Sequence, residues 1–314
     1  MKTVGLVGAR GHTGRELIAL LSRRSGLGLV FASSRAMAGE TVTSLAPEAP
    51  RELRFEALGP QEVAGKGADA VILALPNGEA APYVEAIERT APQTVIVDLS
   101  ADFRFDGTWV YGLPEIYGRE RLAGATRIAN PGCYATAGQL AVAPLRDRLR
   151  GPVHLFGVSG YSGAGTTPTR RNDTKLLEDN LMPYALAGHL HEREMARHLE
   201  IDVRFSPHVA QFFRGLLVTA QLEFCEALTL EAFEAAYREA YEGEPLIGFV
   251  QGRPAEIADG ANANGAAIGG WTLSEDGRRG AVVCALDNLL KGAAVQAIQN
   301  LALALGLEEF EALA

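Results

Sequence analysis

Cysteine is scarce: only Cys133, Cys225 and Cys284 occur in 314 residues, an odd number spread over half the chain with no C-x-x-C pair. Neither a disulfide framework nor a zinc ribbon is supported, and one of the three is left as a candidate reactive thiol. Long apolar runs are also missing. None approaches the roughly 18 to 20 residues of a membrane span, and the run at residues 4–9 is cut by Arg10 before it could form a signal segment. A cytoplasmic protein is therefore expected. Basic charge is short as well: 29 Lys and Arg stand against 38 Asp and Glu, a net charge of −9. This gives no general attraction to nucleic acid or to an anionic membrane, so any anionic ligand must be held by a local basic cluster.

What is present is a 47% hydrophobic chain with 35 glycines and 15 prolines. It is long enough for one large core or two smaller ones, and disordered, collagen-like and coiled-coil readings are excluded. Residues 3–8 read as a buried strand, followed by a glycine turn and a helix over 14–22 with Leu17, Ile18, Leu20 and Leu21 at helical spacing. Further strands are predicted at 27–33, 70–75 (ending in Pro76-Asn77-Gly78) and 95–99, with a helix at 80–89. This alternation predicts an α/β Rossmann domain on a mostly parallel sheet, with its ligand at the carboxyl ends of the strands. After about residue 151, strand-like runs at 153–158, 201–205 and 216–223 alternate with helices at 192–199 and 230–241. They predict an α+β second domain on a mixed or antiparallel sheet. A long amphipathic helix at 289–305 is expected to return to the first domain. The expected domains are therefore 1–132 with 289–314, and 133–288. The charge-poor, glycine-rich stretch 260–270 reads as an active-site or interface loop, and the charge-poor second sheet as the contact of a homodimer or homotetramer.

Gly8-Ala-Arg10-Gly11-His12-Thr13-Gly14 follows a strand and opens a helix. There, glycines let the backbone approach a pyrophosphate and the helix N-terminus faces the anion. The second strand ends in Ala32-Ser33-Ser34-Arg35. An NAD-preferring Rossmann protein usually carries an acid at this point, whereas two hydroxyls and a guanidinium suit the 2′-phosphate of NADP. Asn130-Pro-Gly-Cys133-Tyr places a thiol just after a turn and at the start of an apolar helix, where unpaired backbone N–H groups favour the thiolate. Cys225 and Cys284 read as buried fillers.

Asn130-Pro-Gly-Cys-Tyr, the glycine loop, Asp98-Leu-Ser-Ala-Asp-Phe-Arg104, Ser162-Gly163-Ala-Gly and Asp287-Asn288-Leu-Leu-Lys-Gly-Ala-Ala occur in this order nearly end to end. The chain in this respect resembles the N-acetyl-gamma-glutamyl-phosphate reductases of arginine biosynthesis, a family similar in fold to aspartate-semialdehyde dehydrogenase. The resemblance implies NADPH-dependent reduction of an acyl phosphate through a Cys133 thioester. It maps an H-x-H-x-x-E pattern onto His189, His191 and Glu194, with His191 as acid/base and Glu194 orienting it. Three or four positions apart on a helix such groups share a face. Ser162, Gly163 and Asn288, with Pro76 and Asn77, are expected at the cofactor. Arg104, Asn130, Ser159, His189 and Arg214 are expected at the substrate, and Arg170 and Arg171 stay open because the loop from Ser159 to Asn172 departs from the family pattern. No metal is expected, since His189, His191 and His198 lack an H-E-x-x-H arrangement. The alternatives are reduction of aspartyl phosphate or of a carrier-bound aminoadipyl phosphate, or a non-catalytic NADP-sensing regulator.

Overall fold

The computed structural model describes residues 1–313; Ala314, at the end of the expected first domain, lies outside the described residues. They form two compact units, Met1–Gly132 with Ala293–Leu313, and Cys133–Gly292, so the return to the first unit comes at Ala293 rather than at 289.

The first unit runs β1 (Lys2–Val7), α1 (His12–Leu21), β2 (Leu27–Ser33), β3 (Phe55–Glu56), α2 (Pro60–Gly65), β4 (Ala70–Leu73), α3 (Ala81–Thr90), β5 (Val95–Asp98), β6 (Val110–Tyr111), α4 (Pro114–Tyr117) and β7 (Arg127–Ala129). Its sheet has the order β3-β2-β1-β4-β5-β7-β6, and every pairing is parallel. All four residues of β4 and of β5 are buried. Strands covered on both faces read as continuous apolar runs in this way. The chain winds outward from β1 in one direction and restarts at β4 in the other, which puts a topological switch point between their carboxyl ends.

The second unit runs α5 (Cys133–Val142), β8 (Val153–Gly160), β9 (Leu181–Pro183), α6 (Leu190–Leu199), β10 (Val203–Ala210), β11 (Leu216–Glu223), α7 (Leu230–Ala240), β12 (Ile247–Val250), α8 (Ile257–Gly260), β13 (Ala266–Leu273) and β14 (Arg279–Leu286). Its mixed sheet has the order β12-β13-β14-β11-β8-β10-β9. Strands β8 and β10 run parallel, while β11 is antiparallel to both β8 and β14. In β11, Leu216, Val218, Ala220 and Leu222 are buried, and the alternate positions face outward. On the outward face of β8, Phe156 stays 41% exposed.

Two expectations are corrected here. Half of the stretch 260–270 belongs to β13, whose Gly269 and Gly270 would bring a Cβ to 2.8 Å from the carbonyl of Val250 and 2.7 Å from Cα of Pro254. Close packing of backbone demands small residues, and in sequence these look like a loop. The closing helix is not one amphipathic rod. Leu290–Ala294 form a π-helical turn, and α9 (Val295–Ala304) is buried nearly all round, packed on α1 and β5, with Gln296, Gln299 and Asn300 without exposed surface. Their amides are paired: Asn300 Nδ2 donates to the carbonyl of Gly112 (2.9 Å) and to Asn130 Oδ1 (3.0 Å), and Gln299 Nε2 donates to Glu115 (2.9 Å) and Glu309 (2.8 Å).

Asp98, at the end of β5, has no exposed surface and accepts from Ser100 Oγ (2.6 Å) and Ser100 N (3.1 Å). Burial outweighs these bonds and the nearby Arg104 charge, and its pKa is pushed from 3.8 up to about 6. Between those values the folded chain keeps a proton that the unfolded chain releases, so stability falls as pH rises through this window, by about 2–3 kcal/mol. Asp98→Asn is expected to flatten that decline, as read from urea denaturation at pH 4.5 to 7. An unchanged slope would assign the pH dependence elsewhere.

Candidate active site

In the first unit the loop after β1 is shaped by what it must approach. Gly8 has φ +82°, and a Cβ there or on Gly14 would run into the carbonyl of Ala74 or Ala9. Above Gly11 the space is open, the nearest atom to a Cβ being the Gly8 carbonyl oxygen at 3.9 Å. No side chain caps α1, and no acid stands in its first turn, so the positive end of its dipole is not offset by the helix's own residues. Arg10 is exposed there and Thr13 half-buried, and burial followed by the Arg15 charge lowers the pKa of His12.

At the end of β2, Ser33 Oγ accepts from Leu58 N (3.3 Å). Ser34 Oγ is buried and has no hydrogen-bond partner among the described residues. Arg35 beside it is exposed and makes no ion pair among them. An orphaned hydroxyl next to an uncommitted guanidinium is the donor set a ribose phosphate completes. At the end of β4, Pro76 and Asn77 are exposed; Asn77 Oδ1 accepts from Ala101 N (3.0 Å), and Asp102 holds Gly78 N (2.6 Å) and Ala80 N (3.1 Å).

Two residues expected at the substrate, Arg104 and Asn130, are 6% and 1% exposed in this unit. Arg104 Nε donates to the Asn130 carbonyl (2.9 Å) and its Nη2 to the Leu99 carbonyl (2.8 Å). Asn130 Oδ1 takes the Asn300 amide, and its Nδ2 donates to the Ala293 carbonyl at 3.3 Å. The visible work of both side chains is to fix the Asn130-Pro-Gly turn, after which Cys133 is the next residue.

In the second unit Cys133 opens α5 and is half-buried. Beside it the rings form a cluster: Tyr134 to His191 at 6.0 Å, His191 to His189 at 5.0 Å, His189 to Tyr184 at 5.6 Å, and Phe205 to both Tyr134 (4.9 Å) and His189 (5.4 Å) between centroids. His189 is the N-cap of α6, its Nδ1 accepting from His191 N at 3.1 Å. This bond assigns Nε2 as the protonated nitrogen of a neutral ring, and burial, then the Arg171 charge, lowers the His189 pKa in keeping with it. His189 is thereby a donor with its acceptor nitrogen already used. Glu194, three positions after His191 on α6, has no exposed surface, and His191 Nδ1 is buried.

The other expected residues form one polar knot. Asn288 Oδ1 accepts from Gly215 N (2.9 Å), and its Nδ2 donates to Ser162 Oγ (2.9 Å). A Cβ on Gly163 would stand 3.2 Å from Ser159 Oγ, which itself donates to the Gly160 carbonyl (3.0 Å). Arg214 grips the fully buried Asp287 through Nε (2.6 Å) and Nη2 (3.2 Å), which employs its planar fork inside the protein.

The cysteines need one correction. Cys284 is fully buried, with its pKa pushed up to about 12 by that burial, but Cys225, expected as a filler, is exposed and donates Sγ to the Leu149 carbonyl at 3.4 Å. It lies in the turn after β11, where the alternating pattern of the strand has ended.

Asp287 and Gly292 lie in the Asp287-Asn288-Leu-Leu-Lys-Gly292 motif, where no local feature of the sequence marks a task for either. Asp287 Oδ1 accepts from Leu289 N (2.8 Å) and Leu290 N (3.3 Å), and its main-chain carbonyl accepts from Gly292 N (2.9 Å), the i to i+5 bond of the π-turn. The turn carries Gly292 against the cysteine: a Cβ on Gly292 would lie 2.7 Å from Cys133 Cβ and 3.2 Å from its Cα. Single π-turns frequently mark functional sites. Tyr184 carried no signal in its neighbourhood of the sequence.

The semialdehyde dehydrogenase NAD-binding domain model matches residues 3–125, and the semialdehyde dehydrogenase dimerisation domain model matches residues 133–288. The chain is 54% identical over 311 residues to the N-acetyl-gamma-glutamyl-phosphate reductase of Xanthomonas campestris pv. campestris (strain B100), covering 99% of this chain and 98% of that one. It is 56% identical over 307 residues to that of Stenotrophomonas maltophilia (strain R551-3), covering 98% and 96%. In fold it is similar to aspartate semialdehyde dehydrogenase II from Vibrio cholerae (TM-score 0.79, 16% identity, 98% of both chains). It is also similar to aspartate semialdehyde dehydrogenase with NADP from Candida albicans (TM-score 0.77, 16% identity, 97% and 99%).

Gly292→Ala tests the contact with Cys133. The added methyl meets the root of the side chain rather than a flexible end, so the thiol must shift by a fraction of an ångström, and misplacement of that order costs up to about 10²-fold in rate. Turnover is expected to fall by that order and alkylation of Cys133 by iodoacetamide to slow, while the circular dichroism spectrum is kept. Wild-type rates would show that the contact carries no catalytic constraint.

Proposed function

Because the chain belongs to the semialdehyde dehydrogenase family, and there to the N-acetyl-gamma-glutamyl-phosphate reductases, we propose that Cys133 is the nucleophile of its reaction and His191 the acid/base. The reaction is reduction of N-acetyl-L-glutamyl 5-phosphate to the 5-semialdehyde and phosphate, a step of arginine biosynthesis. The observation that carries the residue assignment is the thiol at the first position of α5, followed by Tyr134, whose ring lies 6.0 Å from that of His191 on α6.

The backbone N–H groups at the start of α5 favour the thiolate, and His191 receives the thiol proton. Cys133 Sγ bonds to the acyl carbon, the carbon–oxygen bond to the phosphate breaks, and phosphate leaves with its electron pair. When bound, NADPH supplies the hydride that takes the resulting thioester to the aldehyde level, and the carbon–sulfur bond then breaks, releasing the semialdehyde and returning Cys133 as the thiolate. The oxyanion formed on the way is met by the same helix N–H groups, and the Nε2–H of His189 is a further donor. Glu194, buried on the face of α6 that carries His191, favours the imidazolium while it holds the proton. Asn288 keeps one amide N–H beyond its bond to Ser162, and with Ser162 and Gly163 it is assigned to the nicotinamide end of the cofactor. Arg104 and Asn130 act through the turn before Cys133, and Arg214 through Asp287.

The family uses a nicotinamide dinucleotide. The choice of NADP is supported by Ser34 Oγ, buried without a partner among the described residues, and by Arg35 next to it. A homo-oligomer formed through the outward face of the second sheet is supported by Phe156, left 41% exposed on a strand of the matched dimerisation domain.

Two measurements test these assignments. Purified protein, assayed in reverse with N-acetylglutamate semialdehyde, phosphate and NADP, is expected to turn over, and Cys133→Ser to abolish this. Cys225 is exposed and alkylates independently, so labelling of Cys133 is followed in a Cys225→Ser background; substantial activity in Cys133→Ser overturns the thioester route. Arg35→Ala is expected to raise KM for NADPH about ten-fold or more, the scale of a charge-assisted hydrogen bond, and to leave NADH unchanged. Equal losses for both cofactors would remove the 2′-phosphate assignment.

A further inference from the structure

We propose that Asp102 is a positioning residue for the dinucleotide: its carboxylate holds the loop that leaves β4 in place as one wall of the cofactor crevice. The proposal rests on the nicotinamide cofactor of the reading above. In the sequence Asp102 is one acid inside the motif that runs from Asp98 to Arg104, without a task of its own.

In an open parallel sheet the ligand lies beyond the carboxyl ends of the strands, where the strand order reverses. Here the reversal falls between the neighbours β1 and β4. The glycine loop after β1 forms one side of this crevice and the chain leaving β4 the other. The two sides touch at their roots, since a Cβ on Gly8 would stand 2.2 Å from the Ala74 carbonyl oxygen. Beyond that contact Pro76, Asn77, Gly78 and Glu79 are exposed and belong to no helix or strand, and Gly78 turns the chain with φ +88°. The bend closes on itself through Glu79 N and the Pro76 carbonyl at 3.3 Å, long for a hydrogen bond. A wall so weakly closed needs support from another segment.

That support comes from the chain after β5. Asp102 Oδ1 accepts from Gly78 N (2.6 Å) and Oδ2 from Ala80 N (3.1 Å), so one carboxylate spans the bend. Asn77 Oδ1 accepts from Ala101 N (3.0 Å), which ties the loop back to the same segment. Asp102 is fixed in turn: its main-chain N–H donates to Ser100 Oγ (3.1 Å), and Ser100 Oγ donates to Asp98 (2.6 Å), a residue of β5 without exposed surface. The exposed loop is thereby referred to the buried sheet through three side chains.

The helix that follows explains why the holding group is an acid. Gly78 N and Ala80 N lie at the N-terminal end of α3, whose N-cap is Ala80, a residue with no side-chain acceptor. A carboxylate bonds such N–H groups more strongly than a neutral oxygen does, and the helix dipole adds to the attraction. Asp102 also fills this end of α3 with the protein's own anion. The end of α1, with no acid in its first turn, is left for the pyrophosphate.

Isothermal titration calorimetry with NADPH and with NADH tests the assignment without turnover. Asp102→Ala is expected to raise Kd about ten-fold for both, the scale of a charge-assisted hydrogen bond. In the reverse assay it is expected to raise KM for NADP while kcat stays within a few-fold. Arg35→Ala acts on NADPH alone, so combining the two substitutions multiplies their losses for NADPH and leaves NADH at the Asp102→Ala value. Asp102→Asn keeps an acceptor without the charge; it is expected to recover part of the affinity, and it carries the test if Asp102→Ala does not fold. Hydrogen exchange of the amides at 78 and 80 is expected to quicken in both variants.

A lowered melting temperature with wild-type Kd values makes Asp102 a helix cap alone, and a loss confined to NADPH moves it to the 2′-phosphate; either result overturns the proposal, as does unchanged exchange at 78 and 80. Wild-type protein that binds neither dinucleotide overturns the cofactor reading itself, an outcome separate from a variant that binds as tightly as a binding wild type.

Discussion

A carboxylate without exposed surface, Asp287, holds the second unit's site in register. Its two oxygens accept from Arg214, from the main-chain N–H groups of Leu289 and Leu290, and from Asn262 N at 2.7 Å. Each bond answers a cost. A buried carboxylate is stable only when paired and hydrogen-bonded on both oxygens, and removing one partner of such a pair typically costs about 3–5 kcal/mol. The partners come from three separate segments, the turn before β11, the loop after α8, and the chain entering the π-turn. The ion pair therefore fixes the π-turn more than it adds to net stability. That turn brings Gly292, with no side chain, against Cys133.

The first unit meets the same need with neutral amides. In α9 the three residues that give the helix its polar face in sequence have no contact with solvent, and Asn300 alone bonds both the Gly112 carbonyl and Asn130. Amides can be buried without any change of protonation, provided each donor and acceptor is met. The chain from Gln296 through Asn300 to Asn130 satisfies this condition, with Gln296 Nε2 donating to Asn300 Oδ1 at 3.2 Å. Asn130 is consequently held at its main-chain N–H, by the Asp98 carbonyl at 2.8 Å, at its carbonyl by Arg104, and at both ends of its side chain. So many constraints on one residue specify the turn that precedes Cys133.

Legibility in the sequence followed burial and length. Leu27–Ser33 and Leu216–Glu223 are read to the residue because seven or eight positions carry an unambiguous pattern, apolar throughout or alternating. The two-residue strands β3 and β6 carry no period at all. β13 was hidden by glycines that close packing requires, and the face of α9 by polar residues satisfied within the core. At the site, residue types with their own chemistry, Cys133 and the histidines, stood out. The tasks of Asp287 and Gly292 depend on partners far along the chain or on space that is absent, and neither leaves a local mark. Cys225 is the converse case, a residue that reads as a filler beside Phe224 yet falls just past the strand's end and outside the core.

The arginines show how an acidic chain makes room for anionic ligands. With carboxylates in excess, an arginine near the fold's interior is easily engaged by the protein itself, as Arg214 is by the Asp287 carboxylate and Arg24 by hydrogen bonds to the carbonyls of Glu308, Glu309 and Glu311 with the Glu311 carboxylate 3.9 Å away. A guanidinium left unpaired beside buried polar atoms is then informative, because the unmet electrostatic demand has to be supplied from outside. Arg35 has Ser34 at its side and Arg171 has the Tyr184 ring beneath it, and neither finds an acid among the described residues. The backbone holds each of them by different means: Arg35 opens a one-turn helix after β2, and Arg171 sits in a loop cross-braced by Asn172. Arg35 and Arg171 thus keep their positive charge beside polar atoms of the fold in a protein whose net charge is −9. An acidic surface elsewhere does not weaken these places, since exposed charges more than about 8–10 Å apart are screened at physiological salt.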